Sequence, residues 1–202
     1  MTCVTNPLID FFYIFRMLKD KTIQSVIKHL RKEDNQVSRV YEEKSGIINH
    51  LYKLTYPMTH IIDNIYLGNA CDASSYYTLK ESKITNIINS TCEIPNYFDN
   101  EFEYFKINIY DINSNSFKNK TFNNILDYIY RIQNDGDKKI LIHCYMGSSR
   151  SAALVILYLI DKYNYTIDEA LKFIKNKRDL VNVNTEFIKN LRDFRREKIK
   201  SE

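Results

Sequence analysis

One stretch of the sequence combines residue types that can hold and attack an anion. The segment 139–142 is typical of a short buried strand, His143 and Cys144 follow it, and a strongly apolar helix is predicted from about Arg150. A loop between a strand and a helix N-terminus directs several backbone N–H groups into one small concavity, and the helix dipole adds positive potential there. The spacing therefore predicts a binding site for a phosphate-like anion, with a thiol at its base.

Cys144 is the candidate nucleophile of this loop. The pKa of a cysteine thiol is ordinarily ~8.5, but a helix N-terminus and a neighbouring cation can lower it to roughly 3.5–7.5. Arg150 would return a planar guanidinium to the same pocket, where it can bind two phosphoryl oxygens. Ser151 can donate its hydroxyl to the sulfur and make it a better leaving group, while His143 is expected to organise the loop by hydrogen-bonding its backbone. The expected substrate-binding residues are the remaining loop positions, Tyr145, Met146, Gly147, Ser148 and Ser149.

Asp111 is the candidate general acid. Expelling a serine or tyrosine oxygen at neutral pH requires a proton donor on the side opposite the nucleophile. The predicted strand 104–110 ends at Asp111, and the carboxyl ends of parallel strands open on the same edge of a sheet. Asp111 could therefore reach over the loop, donate that proton, and later accept one from water. The scheme needs the Cys144 sulfur open to solvent and the Arg150 guanidinium facing it.

Short β-rich runs alternate with helical runs through the second part of the chain. Strands are predicted at 65–67, 84–88, 104–110 and 139–142, and helices at 76–82, 122–132, 150–163, 166–177 and 184–198. This alternation indicates a mostly parallel central sheet flanked by helices on both faces. The predicted fold class is α/β, in a catalytic domain that spans residues 57–200.

The first 56 residues have a different, helical pattern. Asn6 and Pro7 form a good helix start, because asparagine caps free amides and proline loses no hydrogen bond at the first helical position. Apolar residues then recur at helical spacing over 8–18 and 23–30. The pattern predicts a helical N-terminal extension, 1–56, whose apolar face packs on the domain or forms a homodimer contact.

Composition and charge exclude several other classes of protein. The chain of 202 residues is 44% hydrophobic and 27% charged, which indicates a globular protein, and its net charge of +4 is not concentrated in a block typical of nucleic-acid binding. Four scattered cysteines without metal-ligand spacing indicate free thiols in a reducing, cytoplasmic compartment, with no metal and no cofactor. The apolar stretch 8–18 contains Asp10 and Arg16 and falls short of the ~20 residues of a membrane span, so no membrane association is expected.

The motif His143-Cys144-x5-Arg150-Ser151 resembles the signature of the protein tyrosine phosphatase superfamily, and its surroundings are similar to the dual-specificity branch. The segments 62–69, 84–89 and 104–111 resemble strands of that branch, the last of which leads to its general acid. Within 178–187, Asn184 matches an asparagine that helps to hold the active site. The resemblance covers about residues 57–195. It implies a protein phosphatase that hydrolyses phosphotyrosine and phosphoserine or phosphothreonine through a phosphocysteine intermediate.

Two positions depart from the family pattern. Met146 stands where a small alanine is usual, so a bulkier or shifted pocket wall is expected. Val183 stands where a proline usually precedes the asparagine, which bears on the conformation of that turn. The loop interior, 145–149, has no lysine or arginine, whereas phosphoinositide phosphatases of this superfamily often carry basic residues there. The loop therefore favours a phosphorylated protein as substrate over a lipid.

Three alternative functions fit parts of the sequence. A rhodanese-like sulfurtransferase also uses a cysteine in an anion-binding loop, but it would not need Asp111 and does not account for the strand resemblance. An inactive domain that only binds phosphorylated residues typically lacks the cysteine or the arginine, and both are present here. A nucleic-acid 5′-phosphatase on the same fold is the third alternative.

Overall fold

Short apolar runs build the sheet that positions the anion loop. The structure is a computed structural model that describes residues 53–110 and 119–201. Contacts group the chain from Tyr56 onwards into one unit, which contains the sheet and the helices around it. The predicted helices of the N-terminal extension, with their dimer contact, and the predicted general acid Asp111 lie outside the described residues and stay predictions.

Five strands form one mixed sheet in the described part of the chain. They are β1 (Thr59–Ile62), β2 (Ile65–Gly68), β3 (Asn86–Asn89), β4 (Glu103–Lys106) and β5 (Ile140–His143), in the spatial order β1-β2-β5-β3-β4. Strand β1 is antiparallel to β2, and every other pairing is parallel. The predicted α/β class with a mostly parallel sheet is confirmed.

Helices cover both faces of this sheet. The helices of the described residues are α1 (Ala70–Ala73), α2 (Tyr76–Glu81), α3 (Asn119–Gln133), α4 (Arg150–Tyr163), α5 (Ile167–Lys177) and α6 (Thr185–Ser201). Side chains of α3 to α6 form the larger core with Ile65, Ile88, Ile140 and Ile142. Leu79 of α2 packs with Ile87 and Leu141 on the opposite face. Alternate residues of one strand therefore enter different cores, which requires a strand that is apolar throughout.

Helix α4 lies at the centre of the larger core. Every residue from Arg150 to Ile160 is buried, which matches its nearly continuous apolar sequence. The helix ends at Asn164, whose φ of 54° is left-handed and whose N–H donates to the Leu159 carbonyl. Within the described residues, no helix has both the length and the hydropathy that a membrane crossing would need.

Three features of the fold differ from the sequence prediction. The sequence pattern does not predict strand β1, because its only fully buried residue is Ile61 and its extended form depends on pairing with β2. Helix α1 is also absent from the prediction, although Asn69 and Asp72 form a capping box that the sequence contains. Strand β4 ends at Lys106, and the predicted continuation to 110 leaves the sheet, where the Ile109 N–H donates to the Ile107 carbonyl instead of to a strand.

Candidate active site

The register of the sheet places the anion loop among three strand ends. His143, the last residue of β5, pairs with Gly68 of β2 on one side and with Asn89 of β3 on the other. The chain then turns through 144–149 and enters α4 at Arg150. The predicted loop residues therefore lie at the carboxyl edge of the sheet, where α/β folds bind ligands.

The sulfur of Cys144 receives hydrogen bonds from the loop and from the helix that follows it. The backbone N–H of Gly147 and the hydroxyl of Ser151 each lie 3.2 Å from Sγ. Backbone N–H groups of Ser148 and Ser151 also face the sulfur. The loop and the first turn of α4 thus present N–H and O–H donors to one atom, which favours its anionic form.

Burial and charge act in opposite directions on this thiol. Burial of Cys144 by itself raises the pKa of the thiol, but the Arg150 charge, the Ser151 hydroxyl and the loop amides outweigh it and hold the pKa below its ordinary value. Cys71 is not surrounded by such donors from the described part of the chain. Burial together with the Asp72 charge raises the pKa of the Cys71 thiol to about 12. The two cysteines differ in the direction of their pKa shifts because Cys144 lies in the anion loop and Cys71 does not.

The structure does not show the solvent-open Cys144 sulfur that the sequence leads us to expect. Only 2% of the surface of Cys144 is exposed, since the loop and the first turn of α4 enclose it. Tyr145 and Met146 are half-buried, and the Tyr145 carbonyl accepts a hydrogen bond of 3.1 Å from the N–H of Ala70 at the start of α1. Donors of the loop and of α4 therefore take the place of water around the sulfur.

The guanidinium of Arg150 is held from two other segments of the chain. Its Nη2 lies 2.6 Å from Oε1 of Glu93, and its Nη1 donates to the Ile109 carbonyl over 3.4 Å. Ile109 is two residues before Asp111, so the segment that leads to the predicted general acid runs against this arginine. Sequence reasoning missed Glu93, because nothing in its local pattern distinguishes it from a solvent-facing carboxylate.

His143 is fully buried and supports the loop through its backbone. Burial lowers the pKa of its ring to about 4, so the imidazole is neutral at physiological pH. The His143 carbonyl accepts two hydrogen bonds from Ser90, one from the backbone N–H at 3.0 Å and one from the side-chain hydroxyl at 2.6 Å. Its Nδ1 lies 3.4 Å from the carbonyl oxygen of Cys144. These contacts tie the end of β5 to Ser90 and to the first residue of the loop, and the role of His143 in loop organisation stays a prediction.

The segment after α5 holds the outer side of the loop. The hydroxyl of Ser148 donates to the Leu180 carbonyl at 2.8 Å, and the backbone carbonyl of Ser148 accepts a hydrogen bond from the N–H of Asn182 at 3.0 Å. The N–H of Asn184 donates to the Ser149 hydroxyl at 3.1 Å, and the Asn184 side chain accepts from the Glu186 N–H at the start of α6. The Asn184 side chain therefore caps α6, its backbone N–H contacts the loop, and a site-supporting role of the side chain stays a prediction.

Val183 replaces the proline that is usual in the family, and this segment still contacts the loop. The Val183 side chain is partly buried and packs against the larger core. Burial of an isopropyl group and the hydrogen bonds on either side of it hold the turn without the fixed φ of a proline.

Gly147 lies at the closest approach between the loop and β2. Its φ of +67° belongs to the left-handed region, and a Cβ at this position would lie 2.6 Å from the carbonyl oxygen of Gly68 and 2.6 Å from a guanidinium nitrogen of Arg178. A side chain here would meet strained backbone and two fixed neighbours at once. The loop can bend around the sulfur only with glycine at this position.

A buried thiol receives N–H and O–H donors between a parallel strand and a helix that begins with a buried arginine, which is an arrangement suited to a cysteine-based anion site on an α/β sheet. The family model described as dual specificity phosphatase, catalytic domain, matches residues 65–197 of this chain. The chain therefore belongs to the dual-specificity phosphatase branch of the protein tyrosine phosphatase superfamily. The matched range contains the sheet from β2 onwards and the whole anion loop.

Curated relatives support the same family. The chain is 35% identical to protein phosphatase Slingshot of Drosophila melanogaster over 136 residues, which are 67% of this chain and 13% of that protein. It is 34% identical to human dual specificity protein phosphatase 1 over 134 residues, which are 66% of this chain and 36% of that protein. The chain thus spans only a minor part of the length of these relatives.

Solved structures share the fold over most of the chain. Human tyrosine phosphatase-like serine/threonine/tyrosine-interacting protein superposes with a TM-score of 0.64 at 26% identity, over 71% of this chain and 98% of that one. DUSP15 superposes with a TM-score of 0.64 at 29% identity, over 69% of this chain and 87% of that one.

Proposed function

We propose that this chain is an active protein phosphatase that hydrolyses phosphotyrosine and phosphoserine or phosphothreonine through a covalent phosphocysteine on Cys144. The observation that supports this most directly is the pair of donors at the buried Cys144 sulfur, since the Gly147 N–H and the Ser151 hydroxyl each lie 3.2 Å from Sγ. A cysteine that served only to fill the core would have its pKa raised by burial, as Cys71 does. The donors around the Cys144 sulfur are arranged for an anion.

The proposed reaction begins with in-line attack by the Cys144 thiolate on phosphorus. The S–P bond forms as the P–O bond to the substrate breaks, and Asp111 gives its proton to the departing oxygen. Backbone N–H groups of 145–149 and the Arg150 guanidinium bind the three equatorial phosphoryl oxygens.

The second half of the reaction frees the enzyme. Asp111, now a carboxylate, accepts a proton from the water that attacks phosphorus, and the S–P bond breaks as the new P–O bond forms. The Ser151 hydroxyl, 3.2 Å from the sulfur, stabilises the departing thiolate. The products are inorganic phosphate and the enzyme with its thiolate and its protonated Asp111 restored.

The proposed substrate is a phosphorylated protein in a reducing compartment. The names of the relatives describe a protein phosphatase and a dual specificity protein phosphatase, which supports protein substrates for this chain. The loop interior 145–149 has no lysine or arginine, which gives little support to a polyanionic lipid or nucleic-acid substrate. The described cysteines, Cys71, Cys92 and Cys144, are free thiols, as a reducing cytoplasm would keep them.

Hydrolysis of p-nitrophenyl phosphate in the presence of EDTA tests this proposal. We expect Cys144→Ser to abolish turnover and Asp111→Asn to slow release of poor leaving groups, such as those of phosphotyrosine and phosphoserine peptides, more than release of p-nitrophenol. Cys71→Ser is the matched control and should keep wild-type activity, since its thiol lies outside the loop. Full activity of Cys144→Ser would remove the nucleophile assignment.

An inactive phosphate-binding domain predicts a different outcome of the same experiment. The wild-type chain would then bind a phosphopeptide or vanadate and release no phosphate from any substrate. Detection of a phosphocysteine on Cys144 by mass spectrometry after acid quenching would exclude that alternative, because a binding domain forms no S–P bond.

A further inference from the structure

A second arginine lies behind the anion loop. Arg178 follows the end of α5 and is fully buried, with 0% of its surface exposed. Its Nε donates to the Gly147 carbonyl at 3.0 Å, and its Nη1 donates to the Pro57 carbonyl at 2.7 Å and to the Thr59 hydroxyl at 3.1 Å. The central carbon of the guanidinium, Cζ, also lies over the Tyr56 ring, 4.8 Å from the ring centroid. Arg178 thus ties the loop to the chain segment that enters β1.

The carbonyl that Arg178 binds belongs to a peptide unit whose other end, an N–H group, faces the Cys144 sulfur. The C=O of Gly147 and the N–H of Ser148 are the two ends of one planar group. The Ser148 N–H faces the Cys144 sulfur and helps to lower the pKa of the thiol. A cation at the oxygen end fixes the plane of this group and polarises it, so that the N–H end becomes a stronger donor.

We propose that Arg178 is a positioning residue of the anion loop, which acts through the Gly147–Ser148 peptide to hold the Ser148 N–H towards Cys144 and towards a bound phosphoryl oxygen. The kinetic part of this inference rests on the proposed function, but the effect on the thiol does not. Arg178 itself does not touch the reacting atoms and is not a catalytic residue.

Arg178 is a buried cation whose burial its neighbours offset only in part. Burial lowers its pKa, and the neighbouring Asp72, Tyr56, Cys144 and Asp179 oppose that shift. Asp72 is itself buried and accepts hydrogen bonds from the N–H groups of Met58 and Asn69. A guanidinium remains charged in such a site, whereas a lysine could lose its proton and lacks the planar fork. The geometry therefore assigns a specific need for arginine here.

Lys177 provides a matched control on the preceding residue. Its Nζ donates to the Ile61 carbonyl at 2.6 Å, so it also ties the end of α5 to β1. Its ammonium group lies over the Phe173 ring, 5.1 Å from the ring centroid, and both of these contacts are away from residues 144–149. Lys177→Met removes a cation and an anchor of the same segment but leaves the Gly147 carbonyl bound.

The test measures the rate at which iodoacetamide alkylates Cys144 as a function of pH, followed by mass spectrometry of the peptide that contains it. We expect Arg178→Met to move the midpoint of the profile upward by about one pH unit, so that alkylation at acid pH slows ~10-fold. Lys177→Met should leave the midpoint unchanged. An unchanged midpoint in folded Arg178→Met would overturn the inference, as would an equal shift in Lys177→Met.

Two further variants keep the test decisive if Arg178→Met does not fold. Arg178→Lys preserves a buried cation but loses the fixed Nε donor, and we expect it to shift the midpoint in the same direction. Thr59→Val removes one anchor of the guanidinium without touching the loop, and it should shift the midpoint by a smaller amount. If both variants fold with the wild-type midpoint, Arg178 has a structural role only.

Kinetics separate this inference from the proposed function. In an active enzyme, Arg178→Lys should lower kcat/KM by roughly 10-fold to 100-fold while its pH profile moves with the alkylation midpoint. If the wild-type chain shows no turnover but the alkylation shift is present, the proposed function fails and the positioning role stands. If turnover is normal and the shift is absent, the positioning role fails alone.

Discussion

The Glu93 carboxylate lies 2.6 Å from Nη2 of Arg150, and both side chains are largely withdrawn from solvent, with 18% and 6% of their surfaces exposed. Burial opposes ionisation of Glu93, but the hydrogen bond and the charge of Arg150 hold its pKa below the ordinary value. A buried guanidinium with a fixed carboxylate partner has little freedom to rotate. This pair therefore sets the direction of the Arg150 guanidinium.

Glu93→Gln should weaken catalysis through Arg150. The amide keeps the shape of the side chain but loses the charge that orients the guanidinium, so we expect kcat to fall about 10-fold with a smaller change in KM. The loss of a buried ionic partner should also lower the free energy of unfolding by roughly 3 kcal/mol. Steady-state kinetics and urea unfolding measure these two effects.

Glu103→Gln is the control for that variant. Glu103 pairs with Arg131 over the same 2.6 Å, but both side chains are exposed and lie outside the loop. Exposed pairs contribute little to stability, so this variant should keep wild-type kinetics and lose at most ~1 kcal/mol. Equal effects of the two substitutions would show that the Glu93 contact has no special role.

Ser151→Ala should slow the release of phosphate more than its transfer to the enzyme. The hydroxyl 3.2 Å from Sγ stabilises the thiolate, so its loss raises the pKa of Cys144 and makes the sulfur a poorer leaving group. A hydrogen bond to a charged group corresponds to roughly a 10-fold to 100-fold effect. Rapid-quench kinetics should show a burst of leaving group followed by slow turnover, with a pH profile displaced upward.

Ser74→Ala is a suitable comparison for the serine variant. The Ser74 hydroxyl donates to the Cys71 carbonyl at 3.0 Å, away from the anion loop, and its removal should change neither the burst nor the pH profile. Absence of a burst in Ser151→Ala, with an unshifted profile, would contradict the assigned role of the hydroxyl.

Gly147→Ala and Gly136→Ala separate backbone strain from close packing. Both glycines have positive φ, but a Cβ on Gly147 would lie 2.6 Å from the Gly68 carbonyl oxygen, whereas a Cβ on Gly136 would meet nothing within 4 Å. Each substitution should cost about 1–2 kcal/mol through its φ. Only Gly147→Ala should also displace the loop and reduce kcat/KM about 100-fold or more. Thermal unfolding and kinetics together distinguish these contributions, and normal activity of folded Gly147→Ala would contradict the packing argument.

Stability should fall on mild acidification because His143 is buried in its neutral form. Its pKa of about 4 lies below the ordinary value of 6.5, so between these values the unfolded chain binds a proton that the folded chain does not. The free energy of unfolding should therefore decrease by about 2 kcal/mol between pH 7.5 and pH 5. Urea unfolding at several pH values measures this slope.

His143→Gln removes the titrating ring and should flatten the decrease in stability over that pH range. His60→Gln removes an exposed histidine and should preserve it. A wild-type slope in folded His143→Gln would assign the pH dependence to another group.

Much of the anion loop can be predicted from the sequence because its parts are close together in the chain. Cys144, Gly147, Arg150 and Ser151 lie within eight residues, and an apolar strand and an apolar helix on either side determine how the chain turns. The helices α4 and α5 agree with the prediction almost to the residue, since one is continuously apolar and the other begins with the Thr166–Glu169 capping box. Local pattern is sufficient where local interactions dominate.

Contacts between distant segments could not be predicted in the same way. Glu93 is 57 residues from its partner Arg150, and Arg178 is 31 residues from Gly147. Each is a charged residue in a polar stretch, and such a residue is usually solvent-exposed. The same holds for β1, whose four residues become a strand only through their hydrogen bonds to β2.

The chemistry that we propose can be inferred from the sequence alone, because a thiol, a run of amides and a guanidinium follow one another at a spacing that suits a phosphoryl group. The charges that hold this geometry become known from the fold, because the partners of Arg150 and of the Gly147 carbonyl come from distant segments. A buried charge is stable only beside a partner, and chain folding determines which partner is near.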